Sequence, residues 1–322
     1  MRSEFDLIAA LVERLPPPAD GIRVPSGDDA AVVEARGRAT ATTVDAVVEG
    51  VHFTPAFPRR AVGRKALAAA LSDLAAMGAE PGEAYVALGV PEGVEDADLL
   101  ELADGLAEVA GREGVSVAGG DVTRAPALTL AVTCVGLEPP GGRLVSRGGA
   151  SVGEVVVVTG ELGGAAAALL ALEAGSSEES ELAPQFDPRP RLEAGRALAA
   201  AGVTAMIDVS DGAGADAVHI AAASGVRIEI EAARLPVAAA ARERSSGAEA
   251  AIALAISGGE DYELLATLSP DRLEAASEAL GPGTQLSEVG RVMEGEGVTV
   301  LAADGRELEP GGFDHMRGSR SG

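Results

Sequence analysis

The sequence is poor in several residue types, and each shortage excludes a class of protein. Its 322 residues include a single cysteine, Cys134, a single lysine, Lys65, and no tryptophan, and aromatic residues make up only 2%. One cysteine cannot form an intramolecular disulfide, and Cys134 lies in an apolar run, so we expect a buried thiol in a reducing compartment. With so few aromatic rings, Ala, Val and Leu must fill the core, which favours closely packed helices.

Basic charge is also scarce. Lys and Arg together number 25 against 50 Asp and Glu, which gives a formal net charge of −25. Binding to nucleic acid or to an anionic membrane requires a basic surface, so this balance argues against both kinds of partner. A polyphosphate ligand would need bridging cations. Part of the acidic excess serves solubility, above all in the Glu-rich stretch 176–181.

Membrane and export signals are absent from the sequence. No segment reaches the roughly 18 consecutive apolar residues of a membrane span. The N-terminus carries Glu4, Asp6 and Glu13 where a signal peptide would have an uninterrupted apolar core. We therefore expect a soluble cytoplasmic protein.

The familiar nucleotide-binding motifs are missing as well. A Walker loop requires Gly-Lys-Ser or Gly-Lys-Thr, whereas Lys65 lies between Arg64 and Ala66. The protein-kinase signatures and a convincing glycine fingerprint at a strand-to-helix turn are also absent. If a nucleotide binds, metal ions and arginines must meet its charge.

The length fits two domains of about 150 residues each. The run Pro139-Pro140-Gly141-Gly142 predicts a boundary that divides the chain into residues 1–138 and 139–322. The apolar pattern alternates between helical and strand periods, which predicts an α/β fold of the α+β type, with mixed sheets flanked by helices. The polar and acidic stretch 175–190 predicts a mobile loop. Helices are expected at 3–15, 61–77, 96–112, 164–172, 192–201 and 213–224, and strands at 30–34, 39–48, 83–90, 115–118, 127–137, 154–159, 205–209, 227–231 and 262–268.

Aspartates recur at or near the predicted ends of these strands and helices. Any one of them has an ordinary structural explanation, as Asp211-Gly212 suits a turn. Together they suggest a site, because Asp45 interrupts a Thr/Val-rich strand, Asp73 an alanine-rich helix, and Asp208 ends an apolar strand. A buried carboxylate without a partner is costly, and carboxylate oxygens are the ligands that Mg²⁺ prefers. We expect the fold to gather these side chains into one magnesium site.

Six segments carry a resemblance to a known family. They are residues 26–33 (SGDDAAVV), 44–53 (VDAVVEGVHF), 71–79 (LSDLAAMGA), 119–124 (GGDVTR), 207–212 (IDVSDG) and 258–264 (GGEDYEL). In this order they closely resemble the thiamine-monophosphate kinases, and the match runs from residue 4 to residue 313. The EGVHF and GGEDYEL sequences are specific to this kinase family within its wider superfamily.

The resemblance implies the two-domain fold of the aminoimidazole-ribonucleotide synthetase superfamily, dimeric through the first domain, with ATP and several Mg²⁺ ions between the domains. The implied reaction is ATP-dependent phosphorylation of thiamine monophosphate to thiamine diphosphate. The implied catalytic residues are Asp73, Asp121 and Arg147. The metal ligands would be Asp28, Thr42, Thr43, Asp45, Asp73, Asp121, Asp208 and Asp211. ATP would contact Gly120, Asp121, Arg147 and Ser210, and the thiamine phosphate would contact His52, Glu260 and Phe313.

Elementary chemistry agrees with these roles. A phosphomonoester has a second pKa of about 6, so the acceptor oxygen is largely ionised at neutral pH and needs no strong base. The main obstacle is repulsion between two polyanions, which Mg²⁺ ions and Arg147 would reduce. The thiazolium cation suits Glu260 as a carboxylate and Phe313 as a stacking face, and His52 could donate to the acceptor phosphate. His219 and His315 are interpreted as structural.

Three positions depart from the family pattern. Glu113 stands where a tyrosine beside the nucleotide is usual, Ala70 replaces a frequent asparagine, and Val44 a frequent threonine. Two other interpretations stay open: a different ATP-dependent synthetase of the superfamily, or a non-catalytic Mg-nucleotide-binding relative. Selenophosphate synthetase normally carries an N-terminal cysteine or selenocysteine, and the first forty residues here contain no cysteine.

Overall fold

A computed structural model of the chain describes residues 22–24, 30–35 and 37–312. The predicted helix at 3–15 lies outside the described residues, as do Asp28, Phe313 and His315. The described residues form two mixed β-sheets flanked by helices, one of six strands and one of seven.

The first sheet is built from the N-terminal part of the chain. Its strands are β1 (Ile22–Val24), β2 (Ala31–Ala35), β3 (Arg38–Val48), β4 (Glu80–Val90), β5 (Ser116–Arg124) and β6 (Thr129–Leu137). Their order is β1-β2-β3-β6-β4-β5, with β4 and β5 parallel and the other neighbours antiparallel. Buried and less buried residues alternate along β3 and β6, so one face of the sheet packs on the core.

Two helices of this part, α1 (Arg59–Ala76) and α2 (Asp96–Glu113), pack against each other at very short range. A Cβ atom added at Gly63 would lie 2.1 Å from the carbonyl oxygen of Leu102, and one added at Gly105 would lie 2.0 Å from that of Arg60. The backbones therefore touch where no side chain would fit. With few aromatic rings available to fill the core, these two helices pack closely through small residues.

The second sheet follows from residue 155 onward. Its strands are β7 (Val155–Thr159), β8 (Ala205–Asp208), β9 (Arg227–Glu231), β10 (Leu264–Leu268), β11 (Leu286–Met293), β12 (Gly297–Leu301) and β13 (Glu307–Leu308), in the order β13-β12-β9-β11-β7-β10-β8. Every residue of β7 and β10 is buried, as expected for central strands covered on both faces. The helices are α3 (Gly164–Glu173), α4 (Glu179–Phe186), α5 (Leu192–Ala201), α6 (Ala213–Ser224), α7 (Ala239–Arg244), α8 (Ala248–Ser257) and α9 (Leu273–Leu280), with 3₁₀ turns at Ala232–Arg234 and Pro270–Arg272.

Helix α1 joins the two halves of the molecule. It contacts β3 and β6 of the first sheet and also β8, α4 and α5 of the second half. One continuous hydrophobic core accordingly includes Leu67 and Leu71 of α1 together with Met206 and Leu264 of the second sheet. Side chains carried by α1 can therefore meet groups from both sheets.

Several expectations from the sequence need correction. The stretch 175–190, predicted to be a mobile loop, contains helix α4, because Leu182 and Gln185 are buried against the protein. The strand predicted at 115–118 continues to Arg124, so Asp121 lies inside β5 and not after it. Helices α7, α8 and α9 and strands β1, β11, β12 and β13 were not predicted. Among the described helices, none combines the length and the apolar character needed to cross a membrane.

Candidate active site

Three predicted ligands come together where β3 meets α1. Thr43 and Asp45 are two positions apart on β3, so both side chains point toward the α1 side of the sheet. The Thr43 hydroxyl donates a hydrogen bond to Oδ2 of Asp73, which lies in the last turns of α1. Oδ1 of Asp45 accepts a hydrogen bond from the amide of Ala46 at 2.7 Å. Thr42, one residue away, points to the opposite face.

The second sheet contributes the loop that follows β8. Asp208 is the last residue of β8 and is 3% exposed, and Ser210 and Asp211 come directly after it. Oδ2 of Asp216 accepts hydrogen bonds from the amides of Ser210, Asp211 and Gly212 at 3.1, 3.2 and 3.1 Å. Asp216 is buried and fixes the turn that carries the predicted ligands. Sequence reasoning missed it, although its position in the first turn of α6 is a signal for such a contact.

The pKa of Tyr262 responds to the charge of these carboxylates. It is buried at a left-handed backbone conformation, φ 50°, and its amide donates to the carbonyl of Val209 at 2.9 Å. Burial and four nearby carboxylates raise the pKa of Tyr262 well above its usual value. Those carboxylates belong to Glu260, Asp45, Asp208 and Asp73. Charges carried by both sheets and by α1 thus act on this one buried phenol.

The pKa of the Cys134 thiol responds to part of the same negative charge. It pairs with Thr43 across β3 and β6 and is fully buried. Burial, followed by the charges of Asp73 and Asp45, raises the pKa of its thiol to about 12. The prediction of a buried thiol is confirmed. We call Thr43, Asp45, Asp73 and Asp208 the aspartate cluster.

The donor chemistry of the aspartate cluster suits Mg²⁺, since it offers carboxylate and hydroxyl oxygens. Within residues 30–35 and 37–312, however, no three His, Cys, Asp or Glu side chains stand close enough together to form a complete metal site. The charges of Asp45 and Asp73 act on both Tyr262 and Cys134, which places these two carboxylates in one region of the protein. The described residues therefore fit part of a magnesium site, and the position of Asp28 lies outside them.

Gly120 and Asp121 lie elsewhere in the chain. One row of paired residues crosses four strands, in the order Ala46, Ala131, Ala87 and Asp121. Residues of one row share a face of the sheet, so Asp121 projects from the face opposite to Asp45. Three strand spacings separate the two positions, about 14 Å along the sheet. Within one chain, the structure does not bring Asp121 into the aspartate cluster.

A second cluster forms around the only lysine. Nζ of Lys65, on α1, lies 2.7 Å from Oε1 of Glu260 and donates to Oε1 of Gln185 at 2.8 Å and to the carbonyl of His52 at 3.0 Å. Nε2 of Gln185 donates to Oε2 of Glu260 at 2.9 Å. We call these four residues the lysine cluster.

The lysine cluster has the opposite electrostatic character. Burial acts to raise the pKa of Glu260, but the charge of Lys65 and the hydrogen bonds from Lys65 and Gln185 outweigh it and leave this pKa lowered. Glu260 is held as a carboxylate at a left-handed backbone conformation, φ 61°, and its amide donates to the carbonyl of Ser210 at 2.8 Å. That hydrogen bond ties the lysine cluster to the loop after β8.

His52 is oriented by the turn after β3. Its Nδ1 accepts a hydrogen bond from the amide of Val48 at 3.1 Å. In the neutral imidazole the proton then resides on Nε2, which makes this nitrogen a hydrogen-bond donor. The ring can therefore present an N–H group to an anionic ligand.

Arg147 lies in the segment beside β8. The amide of Met206, two residues before Asp208, donates to the carbonyl of Ser146 at 3.1 Å. The carbonyl of Arg147 accepts a hydrogen bond from the Ser224 hydroxyl at 3.2 Å. These contacts anchor the half-buried Arg147 along the strand that ends in the aspartate cluster.

A cavity of about 380 Å³ opens beside Glu260. Asp261 lines it and accepts hydrogen bonds from the amides of Gly163 and Ala165 at the start of α3, at 2.7 and 3.0 Å. Burial outweighs these bonds and raises the pKa of Asp261 to about 7. Glu263 also lines the cavity and is paired with Arg191, whose Nε donates to it at 2.9 Å.

The three departures from the family pattern occupy different surroundings. Glu113 ends α2 and accepts a hydrogen bond from Nε of Arg112 at 2.8 Å. Ala70 is buried inside α1, and Val44 is 68% exposed on the outer face of the first sheet.

Comparison with known proteins gives consistent matches. Residues 27–137 match the family described as AIR synthase related protein, N-terminal domain, and residues 151–302 match the corresponding C-terminal domain. The chain is 36% identical to the thiamine-monophosphate kinase of Caulobacter vibrioides, over 98% of this chain and 91% of that protein. It is 35% identical to the thiamine-monophosphate kinase of Escherichia coli K12, over 97% of this chain and 98% of that protein.

Among solved structures, AaThiL complexed with AMPPCP and TMP is similar over 98% of this chain and 99% of that chain, with a TM-score of 0.84 and 33% identity. A HypE–HypF complex matches with a TM-score of 0.74 and 21% identity, which shows a likeness of fold alone. The predicted α/β class, with mixed sheets flanked by helices in two parts, is confirmed by these matches.

Proposed function

Since this chain belongs to the AIR synthase related proteins and, among them, to the thiamine-monophosphate kinases, we propose that the aspartate cluster and the lysine cluster are two ends of one active site. The reaction is the ATP-dependent phosphorylation of thiamine monophosphate to thiamine diphosphate. The resemblance read from the sequence is thereby confirmed. The assignment of individual residues below is our proposal.

The observation that supports this arrangement best is the environment of Tyr262. The charges of Glu260, from the lysine cluster, and of Asp45, Asp208 and Asp73, from the aspartate cluster, all act on its phenol. Groups suited to holding cations and a group suited to a substrate cation thus border the same buried side chain. Donor and acceptor phosphates must meet at such a junction for in-line transfer.

We propose Asp28, Thr42, Thr43, Asp45, Asp73, Asp121, Asp208 and Asp211 as ligands of several Mg²⁺ ions, with Thr43, Asp45, Asp73 and Asp208 of the aspartate cluster at their centre. Bound Mg²⁺ would neutralise charge on the triphosphate and acceptor phosphate and hold attacking and leaving oxygens in line. The protein's own contribution is to fix its oxygens beforehand. The Thr43 hydroxyl orients the Asp73 carboxylate, and the three amides bound by Asp216 hold the turn after Asp208.

Arg147 and Ser210 are proposed to bind ATP. Both follow segments attached to β8, and a guanidinium can bind two phosphate oxygens at once. Gly120 lets β5 approach β4 closely, because a Cβ atom there would lie 2.0 Å from the carbonyl oxygen of Val86. Gly120 lies in the same row of paired residues as Asp45, whereas Asp121 projects from the face of the first sheet turned away from the aspartate cluster.

That separation supports a homodimer in which a second copy supplies Asp121. Every residue of β5 is exposed in the single chain, and the same outer face carries Val44, 68% exposed, and Tyr85, 42% exposed. A sheet face of this kind is commonly covered by a partner. We propose that two first sheets pack through these outer faces and that Asp121, on the edge strand β5, reaches the site of the other copy past the edge of its sheet.

At the lysine cluster, His52, Glu260 and Phe313 are proposed to contact thiamine monophosphate. The Nε2–H of His52 suits a phosphate oxygen, and the Glu260 carboxylate suits the thiazolium cation. Phe313 lies outside the described residues. We also retain as proposals a cytoplasmic location and a division of the chain at residues 138 and 139.

A product assay tests the function. Purified protein is incubated with ATP, with either thiamine monophosphate or formylglycinamidine ribonucleotide as acceptor, and with or without Mg²⁺. We expect thiamine diphosphate and ADP in equal amounts, only with the thiamine substrate and only with the divalent ion. ATP binding without thiamine diphosphate would instead identify a non-catalytic relative, and turnover of the ribonucleotide would identify another synthetase of the superfamily.

A further inference from the structure

We propose that Lys65 and Gln185 are positioning residues for substrate: together they hold the Glu260 carboxylate and the His52 turn in the geometry that binds thiamine monophosphate. This inference rests on the proposed substrate contacts of His52 and Glu260. Neither Lys65 nor Gln185 needs to touch the substrate.

The hydrogen-bond pattern around Glu260 supports the first step. One carboxylate oxygen receives the Lys65 ammonium at 2.7 Å, and the other receives the Gln185 amide at 2.9 Å. The Gln185 oxygen in turn accepts from Lys65 at 2.8 Å, which closes a ring of three side chains. Each carboxylate oxygen is thereby fixed by one donor, and a carboxylate offers about four acceptor sites in all. Acceptor capacity therefore remains for a ligand.

Burial makes this ring rigid. The side chain of Lys65 is 2% exposed, and Gln185 is 3% exposed. The ammonium also lies 5.4 Å from the centre of the Phe57 ring, and Phe57 packs on Phe186, the neighbour of Gln185, with ring centres 5.0 Å apart. An ion pair whose ammonium is buried and whose carboxylate oxygens are both hydrogen-bonded fixes geometry more than it adds stability. We infer that its role here is orientation.

The same ammonium reaches the second proposed substrate contact. Lys65 donates to the carbonyl of His52 at 3.0 Å, so it fixes the backbone of the turn that carries the imidazole. A single charge on α1 thus holds one group from the first half of the chain and one from the second. Asp73 follows eight residues later on the same helix, about 12 Å along its axis. Helix α1 therefore sets the distance between the substrate contacts and the aspartate cluster.

Helix α4 acquires a function in this arrangement. The acidic segment 175–190 carries Gln185 to the ring, and the amide of Gln185 also donates to the carbonyl of Ala165 at 3.2 Å. Gln185 is thereby locked between α3 and Glu260. Sequence reasoning had assigned this segment no contact with the site.

The test is a set of double-mutant cycles on the full-length protein, with KM for thiamine monophosphate, KM for ATP, kcat and melting temperature measured for each variant. The substitutions are Lys65→Met, Gln185→Met and Glu260→Gln, each close in size to the original side chain. The matched control is Gln285→Met, the same replacement at an exposed glutamine that donates to Ser287.

We expect Glu260→Gln and Lys65→Met each to raise KM for thiamine monophosphate by about tenfold or more, and Gln185→Met by about fivefold. KM for ATP should stay within about twofold in all three, and Gln285→Met should change neither constant. In the Glu260→Gln background, Lys65→Met and Gln185→Met should add little, because both act through the same carboxylate.

Lys65→Met leaves the half-buried Glu260 carboxylate without its cation and can reduce folding, so the neutral pair Lys65→Met with Glu260→Gln and the uncharged Gln185→Met variant keep the test decisive. If Glu260→Gln leaves KM for thiamine monophosphate unchanged, the proposed substrate role of Glu260 is wrong and the positioning role fails with it. If Glu260→Gln raises this KM, but Lys65→Met and Gln185→Met do not, or raise KM for ATP equally, the substrate role stands and the positioning role is overturned.

Discussion

Both clusters of the site contain carboxylates, yet the titratable groups at the two clusters shift in opposite directions. At the lysine cluster, Lys65 outweighs burial and lowers the pKa of Glu260. At the aspartate cluster, burial and the surrounding carboxylates raise the pKa of Tyr262 and of Cys134. One cluster contains a permanent cation of the protein, whereas the other presents a net negative field to its neighbours.

This difference explains how a kinase can function with one lysine. An ammonium that is buried and hydrogen-bonded on every side cannot move with a phosphate, so it suits a fixed role in holding side chains. A negative field, in contrast, favours cations that arrive with the nucleotide and leave with the product. The two clusters thus divide charge neutralisation between a resident group and exchangeable ions.

Substitution of Asp73 is the most direct test of the proposed difference between the two clusters. In Asp73→Asn the amide oxygen can still accept from Thr43, so we expect the fold and melting temperature to be retained while the anionic charge is lost. Turnover should fall by about a thousandfold or more, because oxygens that hold charge in place account for several kcal/mol of transition-state stabilisation. The measurement is kcat at saturating ATP and thiamine monophosphate.

The matched control for this prediction is Asp96→Asn, which changes an exposed aspartate in the first turn of α2. It should leave kcat within about twofold, as surface charges contribute little. A rate within about tenfold of the unmodified protein for Asp73→Asn would remove Asp73 from the proposed ligands.

Asp216 provides a third way of satisfying a buried carboxylate, by backbone amides alone. Asp216→Ala removes the acceptor for three amides of the turn after Asp208 and should lower the free energy of unfolding by about 3 kcal/mol. Asp216→Asn keeps an oxygen acceptor and should lose about half as much. Urea unfolding at constant pH measures both values, and equal losses for the two variants would contradict the hydrogen-bond explanation.

Much of this site was predictable because its residues have unusual neighbours in the sequence. Asp45 in a Thr/Val strand, Asp73 in an alanine helix and Asp208 at the end of an apolar strand are each conspicuous, and in the structure the charges of all three act on Tyr262. The α/β class followed from alternating apolar periods for the same reason. These are local sequence patterns, and such patterns predict the structure correctly when the core is built from the same residues.

Other parts depended on long-range contacts that no local pattern reveals. Lys65 had significance only as the sole lysine, and its partners Glu260 and Gln185 lie far away in the sequence. The acidic composition of 175–190 suggested mobility, but the burial of Leu182 and Gln185 against the rest of the protein stabilises helix α4 there. The position of Asp121 on the outer face follows from strand register, which composition does not determine.

Tyr262 offers a measurement of the combined effect of burial and of the carboxylates of both clusters. The chain has two tyrosines and no tryptophan, so in Tyr85→Phe the phenol of Tyr262 is the sole phenolic absorber. Because its pKa in the folded protein lies well above the usual value of about 10, an absorbance titration should show almost no phenolate at about pH 10.5 until the protein unfolds.

Above about pH 10 the unfolded chain binds fewer protons than the folded one, so stability should decrease as pH rises. Tyr262→Phe should lack this part of the decrease, and ionisation of Tyr262 at its usual pKa in the folded protein would contradict the buried, negatively charged surroundings of its phenol.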